Sequence, residues 1–178
     1  VIRHVRERDK LSNSARIAAL ALPRLRIHDH GAPGTRVNVA ALLRPGTALL
    51  FPLDPDLPAT RAEPGSVRQL LVLDGTWAQA RRMVRRLPGV RSLPRLVVDP
   101  GDPTRARLRR PHLAGGMATL EAIAAALELV EGPEVSAPLF CLFDEFARRG
   151  RALRGKGRPP PGVDASPWNR SCPEDASR

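Results

Sequence analysis

The chain has 178 residues, 42% hydrophobic and 26% charged, which suits one domain with a single buried core and leaves little room for two. Its formal net charge of +11, carried almost wholly by arginine, points toward a polyanionic partner and away from an acidic, solvating protein. No run approaches the roughly 18 apolar residues of a membrane span, VIRHVRERDK lacks a secretory apolar stretch, and Cys141 and Cys172, without any CxxC pair, read as reduced, so a cytoplasmic protein without membrane contact is expected.

Residues 1–10 are charged and are assigned no element. Asn13, or Ser12, N-caps a helix through SARIAALAL, with Ile17, Leu20 and Ala21 on its inner face and Pro23 closing it. RLRIHDHG reads as a short strand and turn, VNVAALL as a short helix, and TALLF (47–51) as a buried strand. QLLVLD (69–74) is the strongest strand of the chain. TWAQARRMVRRL then has helical period: Trp77, Ala80, Val84 and Leu87 share one face, while Arg81 with Arg85 and Arg82 with Arg86 lie one turn apart on another. RLVV (95–98) is a further strand, followed by a long basic loop. Thr119 caps the next helix, where Leu120, Ile123, Leu127 and Val130 repeat at helical spacing until Gly132-Pro133. A last amphipathic helix runs from about Pro138 to Leu153, and residues 154–178 have the Pro, Gly and polar content of a flexible tail.

Strands that are apolar throughout, each leading into a loop or helix, predict an α/β fold with a mostly parallel sheet flanked by helices on both faces. Ligands of such sheets gather beyond the carboxyl ends of the strands, where Asp74, Phe51-Pro52 and Asp99-Pro100 stand. By position alone Asp74 is more readily a helix cap than a catalytic base, and Gly75 is a tight turn or a place of close approach. Trp77 is core or a stacking platform, and with only 3% aromatic residues its place at this corner is informative. Arg81, Arg82, Arg85 and Arg86, without an acidic neighbour on the helix, repel one another, which favours an anionic partner. Arg105, Arg107 and Arg109 in the basic loop would extend the same positive surface. Arginine richness alongside Ala, Pro and Gly also accompanies GC-rich coding, so the placement of the arginines weighs more than their number. His28 and His30 have no third ligand nearby, and no metal site is expected.

DGTWAQARRM, followed by RSLPRLVVDP and ATLEAIAAAL, resembles the DTW-domain family of tRNA-uridine aminocarboxypropyltransferases, whose Asp-x-Thr-Trp pattern stands here as Asp74, Thr76 and Trp77. HVRERDKLSNSARIAALAL is similar to that family's segment of His-x-x-Glu and Asn-Thr, with Ser14 in the Thr position. Family members commonly carry a cysteine cluster ahead of that segment, and this sequence starts at the segment.

The resemblance, over about residues 1–150, implies a SPOUT-like α/β domain (1–153) knotted near its cofactor, S-adenosylmethionine. It implies transfer of the 3-amino-3-carboxypropyl group to N3 of a tRNA uridine, releasing methylthioadenosine. The cofactor would be held by Leu50, Phe51, Pro52, Leu73, Gly75, Thr76, Trp77, Leu93, Leu96, Val97, Ala118, Thr119 and Leu120, with Asp74 removing or orienting the N3 proton. The implied partner is tRNA, and no protein partner is inferred. An rRNA aminocarboxypropyltransferase, a SPOUT-type RNA methyltransferase and a catalytically silent RNA-binding module are the alternatives.

Overall fold

The computed structural model describes residues 1–34, 37–99 and 116–153. The strands are β1 (Ile2–His4), β2 (His28–His30), β3 (Thr47–Leu50), β4 (Gln69–Asp74) and β5 (Arg95–Leu96). The helices are α1 (Ser14–Ala21), α2 (Val39–Leu42), α3 (Trp77–Arg86), α4 (Thr119–Glu131) and α5 (Pro133–Leu153). The strands form one five-stranded sheet in the order β2-β1-β4-β3-β5, with every pairing parallel, so the fold is α/β as expected.

β3 and β4 run in register from Thr47 opposite Gln69 to Leu50 opposite Val72. Successive side chains point to opposite faces. Ala48, Leu50 and Val72 join Leu120, Ile123, Ala124, Leu139 and Phe143 of α4 and α5, with Ala18 of α1 on the same side. Leu49 and Leu71 join Val39, Ala80, Met83 and Val84 of α2 and α3 on the other. Burial on both faces is why β3 and β4 read as continuous apolar runs rather than alternating ones. Among the described residues no helix is long and apolar enough to cross a membrane.

The charged start of the chain is the main departure. It holds β1, an interior strand between β2 and β4. Ile2 and Arg3 are both buried there, and the Arg3 charge is offset by Asp29 of β2, Nε to Oδ1 2.7 Å. Compensation across strands leaves no trace in a hydropathy pattern. β5 stops at Leu96 because its partner β3 runs out at Leu50, so RLVV is half ladder and half loop. α1 buries Ser14, Ala15 and Ala18, while Leu20 is 84% exposed: the helix approaches the core through its small side chains. α5 starts at Pro133, where a missing N–H costs nothing in the first turn, and it tolerates Pro138 because Leu139, Phe143 and Ala147 anchor it. Cys141 is disulfide-bonded, against the expectation of a reduced thiol. Cys172, residues 154–178 and Arg105, Arg107 and Arg109 lie outside the described residues.

Candidate functional site

β1 leads into α1 on one face of the sheet and β4 leads into α3 on the other, yet β1 and β4 are neighbours, with Ile2 opposite Leu73 and Arg3 opposite Asp74. Adjacent parallel strands whose connections leave toward opposite faces open a crevice at their carboxyl ends. His4, Asp74 and Gly75 border that crevice. Gly75 is needed for packing: a Cβ there would lie 3.1 Å from the Gln79 side chain and 3.5 Å from His4 Cβ.

Asp74 is only 6% exposed, and both carboxylate oxygens are engaged. The Asn13 amide donates to Oδ2 (2.7 Å), and the Thr119 hydroxyl donates to Oδ1 (2.6 Å). Asn13 is also the N-cap of α1, its Oδ1 accepting the Arg16 N–H at 3.0 Å. At the start of α4, Leu120 N–H donates to Ser14 Oγ (3.2 Å), and Ala118 N–H donates to Glu121 Oε2 (3.1 Å). The end of β4 therefore ties together the first turns of two helices that are remote in sequence.

This arrangement corrects two cap assignments. α3 is capped by Thr76, whose Oγ1 accepts the Gln79 N–H (3.3 Å) while Gln79 Oε1 accepts the Thr76 N–H (2.7 Å), and not by Asp74. Thr119 is the first residue of α4 and does not cap it; its hydroxyl is spent on Asp74. Asp74 stands two residues before the Thr76 cap, and its oxygens accept from Asn13 and Thr119 instead of from the helix.

Trp77, expected on the apolar face, is 40% exposed and stacks on Phe51, with centroids 5.0 Å apart and rings 2° from parallel. As the first residue of α3 it projects past the packed turns to the rim of the sheet. The Arg95 guanidinium lies 5.9 Å from the Phe51 ring centroid, buried and donating to the carbonyls of Val90, Leu93 and Arg91. Burial lowers its pKa. Nothing in the apolar run RLVV announced this buried cation.

Among the proposed cofactor residues, Phe51, Pro52, Leu73, Gly75, Thr76 and Trp77 lie together at the ends of β3 and β4. Ala118 and Thr119 join them through the bond to Asp74, and Leu50, Leu96 and Leu120 form the core beneath. Leu96 and Val97 also line, with Glu63, Asp99, Met117 and Glu121, a cavity of about 720 Å³ between β5 and α4. Leu93 stands apart, before β5 at its amino end, packed with the α2 and α3 side of the core.

On α3, Arg82, Arg85 and Arg86 are exposed. Arg81 has acidic neighbours after all, supplied by a distant loop: Asp54 at 3.1 Å and Asp56 at 2.7 Å. His4 accepts the Arg6 N–H on Nδ1 (3.3 Å), and its pKa is lowered by burial first and by the charges of Arg6 and His30 next.

The DTW domain family model matches residues 1–150, spanning the described sheet, the Asp74 corner and the start of α4. No solved structure matches the chain. The chain belongs to the DTW-domain family, that of the tRNA-uridine aminocarboxypropyltransferases, and so to the proteins of tRNA modification.

Proposed function

We propose that this chain transfers the 3-amino-3-carboxypropyl group of S-adenosylmethionine to N3 of a uridine in tRNA. One observation carries the reading: three sequence segments far apart in the chain, at Asn13-Ser14, Asp74 and Thr119, are bonded to one another at the switch point of the sheet. In parallel α/β sheets ligands bind at such a switch point, and these bonds fix its walls.

The surroundings fit the cofactor. The 720 Å³ cavity has apolar walls from Leu96, Val97, Met117 and Phe140 together with four carboxylates, Glu63, Asp99, Glu121 and Glu128, against one cation, Arg61, a balance suited to a nucleoside that carries positive charge. Leu96 and Val97 would hold it within the cavity, with Ala118 and Thr119 beside its Met117 edge. When bound, S-adenosylmethionine supplies a carbon made electrophilic by the adjacent sulfonium.

The protein's own part is placement and exclusion of water. Trp77, backed by Phe51, offers a half-exposed ring at the crevice on which the uracil stacks. Asp74 fixes the starts of α1 and α4 that form the walls. With both oxygens already accepting hydrogen bonds, we assign it to positioning ahead of proton removal. Arg82, Arg85 and Arg86 draw in the tRNA backbone.

The test is product analysis with tRNA and S-adenosylmethionine. Methylthioadenosine with the modified uridine supports the proposal. S-adenosylhomocysteine instead would make the chain a methyltransferase, and no heat of cofactor binding in calorimetry would make it a silent RNA-binding module.

A further inference from the structure

We propose that His4, His30 and Arg82 form an oxyanion subsite that takes a backbone phosphate of the RNA substrate, an inference that rests on the RNA-modifying reading of the crevice. His4 and His30 end the neighbouring strands β1 and β2 and stand opposite each other in register, so their side chains leave the same face of the sheet. The Arg6 N–H donates to His4 Nδ1, which puts the proton of the neutral ring on Nε2. That Nε2 faces Gly31, where even a Cβ would stand only 3.5 Å away, so the glycine keeps the approach open. Gly31 has φ 93°, a left-handed conformation that suits glycine and adds to the reason for it.

His30 Nδ1 is buried with no hydrogen-bond partner. That nitrogen is closed to solvent, so the ring would meet a ligand through Nε2. Arg82 on α3 adds an exposed cation whose charge is felt at His4. The nearby carboxylates are already engaged: Glu7 with Lys10, and Asp29 with Arg3 at 2.7 Å and Arg8 at 4.0 Å. Two imidazole donors and a guanidinium, with the acids neutralised, match an anionic oxygen. Among the described residues no group of three metal-ligating side chains stands there.

Sheet order decides whose anion it is. β2 and β1 lie at one side of β4, while the cavity suited to the cofactor lies at β5 on the far side. The methionyl carboxylate of the cofactor therefore belongs elsewhere, and a phosphodiester reaching the crevice from the α3 side meets His4 and His30.

The experiment is NMR of the imidazole C–H signals of the full chain during titration with inorganic phosphate at low ionic strength. The His4 and His30 signals are expected to shift saturably while His28 stays still, and the His4 titration midpoint to rise, because a bound anion favours imidazolium. His4→Asn, which keeps an acceptor for the Arg6 N–H, and Arg82→Gln are each expected to weaken phosphate binding about tenfold, the loss of one charge-assisted hydrogen bond. Unmoved His4 and His30 signals overturn the proposal, as does an equal response to chloride or a response to S-adenosylmethionine alone. Unchanged tRNA KM in His4→Asn also sinks the subsite and leaves the transferase reading standing. Absence of transfer in the unaltered protein sinks that reading, while the phosphate titration still decides the subsite.

Discussion

α3 and α4 both start at the carboxyl edge of the sheet, but α3 caps itself within one turn, whereas α4 adds bonds from distant residues to its own Glu121. Thr76 and Gln79 satisfy each other's backbone N–H within one turn. At α4, the Leu120 N–H goes to Ser14, 106 residues away, and the Thr119 hydroxyl to Asp74, 45 residues away. A local box forms as soon as its helix does, whereas a borrowed cap exists only once β4, α1 and α4 have met. The difference separates a helix start that forms locally from one interlocked with the rest of the site, and substitutions at the two helix starts can break or sharpen that separation.

The largest effect is expected at Asp74. Asp74→Ala leaves the Asn13 amide and the Thr119 hydroxyl without their acceptor in a dry place, and we expect a loss of about 3 kcal/mol or more in urea unfolding, with transfer abolished. Asp74→Asn keeps the volume but turns a donor toward a donor at one oxygen, so about 1–2 kcal/mol is expected to go. If Asp74 positions the walls, cofactor and tRNA binding weaken along with stability. Collapse of kcat with binding and stability intact would instead make it the base.

At the other helix, exchanging Arg82, Arg85 and Arg86 for Gln is expected to cut the salt dependence of tRNA binding, measured by fluorescence anisotropy, by roughly 0.7–0.9 log units for each phosphate no longer neutralised. The unfolding midpoint is expected to stay put. Arg81→Gln has the reverse pattern, because Arg81 is held by Asp54 and Asp56: little change in salt slope and about 1 kcal/mol less stability. A triple variant that also failed to bind cofactor would show that α3 is not the independent element its local cap suggests.

The same contrast explains what could be read from the chain. β3, β4 and the amphipathic α3 were legible because their signals are local: apolar runs and a helical period of about 3.6. Asn13 was legible as a cap, since its Oδ1 acts three residues on, but its amide to Asp74 was not. β1 was invisible because Arg3 is neutralised by a residue of another strand. Trp77 fell on the apolar face by periodicity, yet as the first helical residue it has no packed turn beneath it and finds Phe51 instead. The family motifs named the residues of the site; only folding shows that they are bonded to each other.

Double-mutant cycles measure that bonding directly. Asn13→Ala and Thr119→Val share Asp74 as acceptor and are expected to couple by about 0.5–1.5 kcal/mol in urea unfolding. Thr76→Ala, at a cost of about 1 kcal/mol on its own, is expected to add to Thr119→Val within about 0.5 kcal/mol. Coupling between Thr76 and Thr119 as large as that between Asn13 and Thr119 would erase the distinction between the two helix starts.

The smallest effect is a pH dependence set by His4. Its folded pKa lies below the ordinary 6.5, through burial foremost and then the Arg6 and His30 charges. Between the folded and unfolded values the unfolded chain binds more protons, so stability from this group is complete above pH 6.5 and is lost as pH falls through the folded pKa. The urea midpoint is therefore expected to decline modestly from about pH 7.5 to about pH 5, and His4→Asn to flatten that decline. Saturating phosphate works in the opposite direction: by favouring the imidazolium in the folded state it raises the His4 pKa and shrinks the acid loss. An acid loss that phosphate leaves untouched would place the titrating group away from the crevice, and His4 would then be a strand-end residue with no part in drawing the RNA backbone toward Asp74.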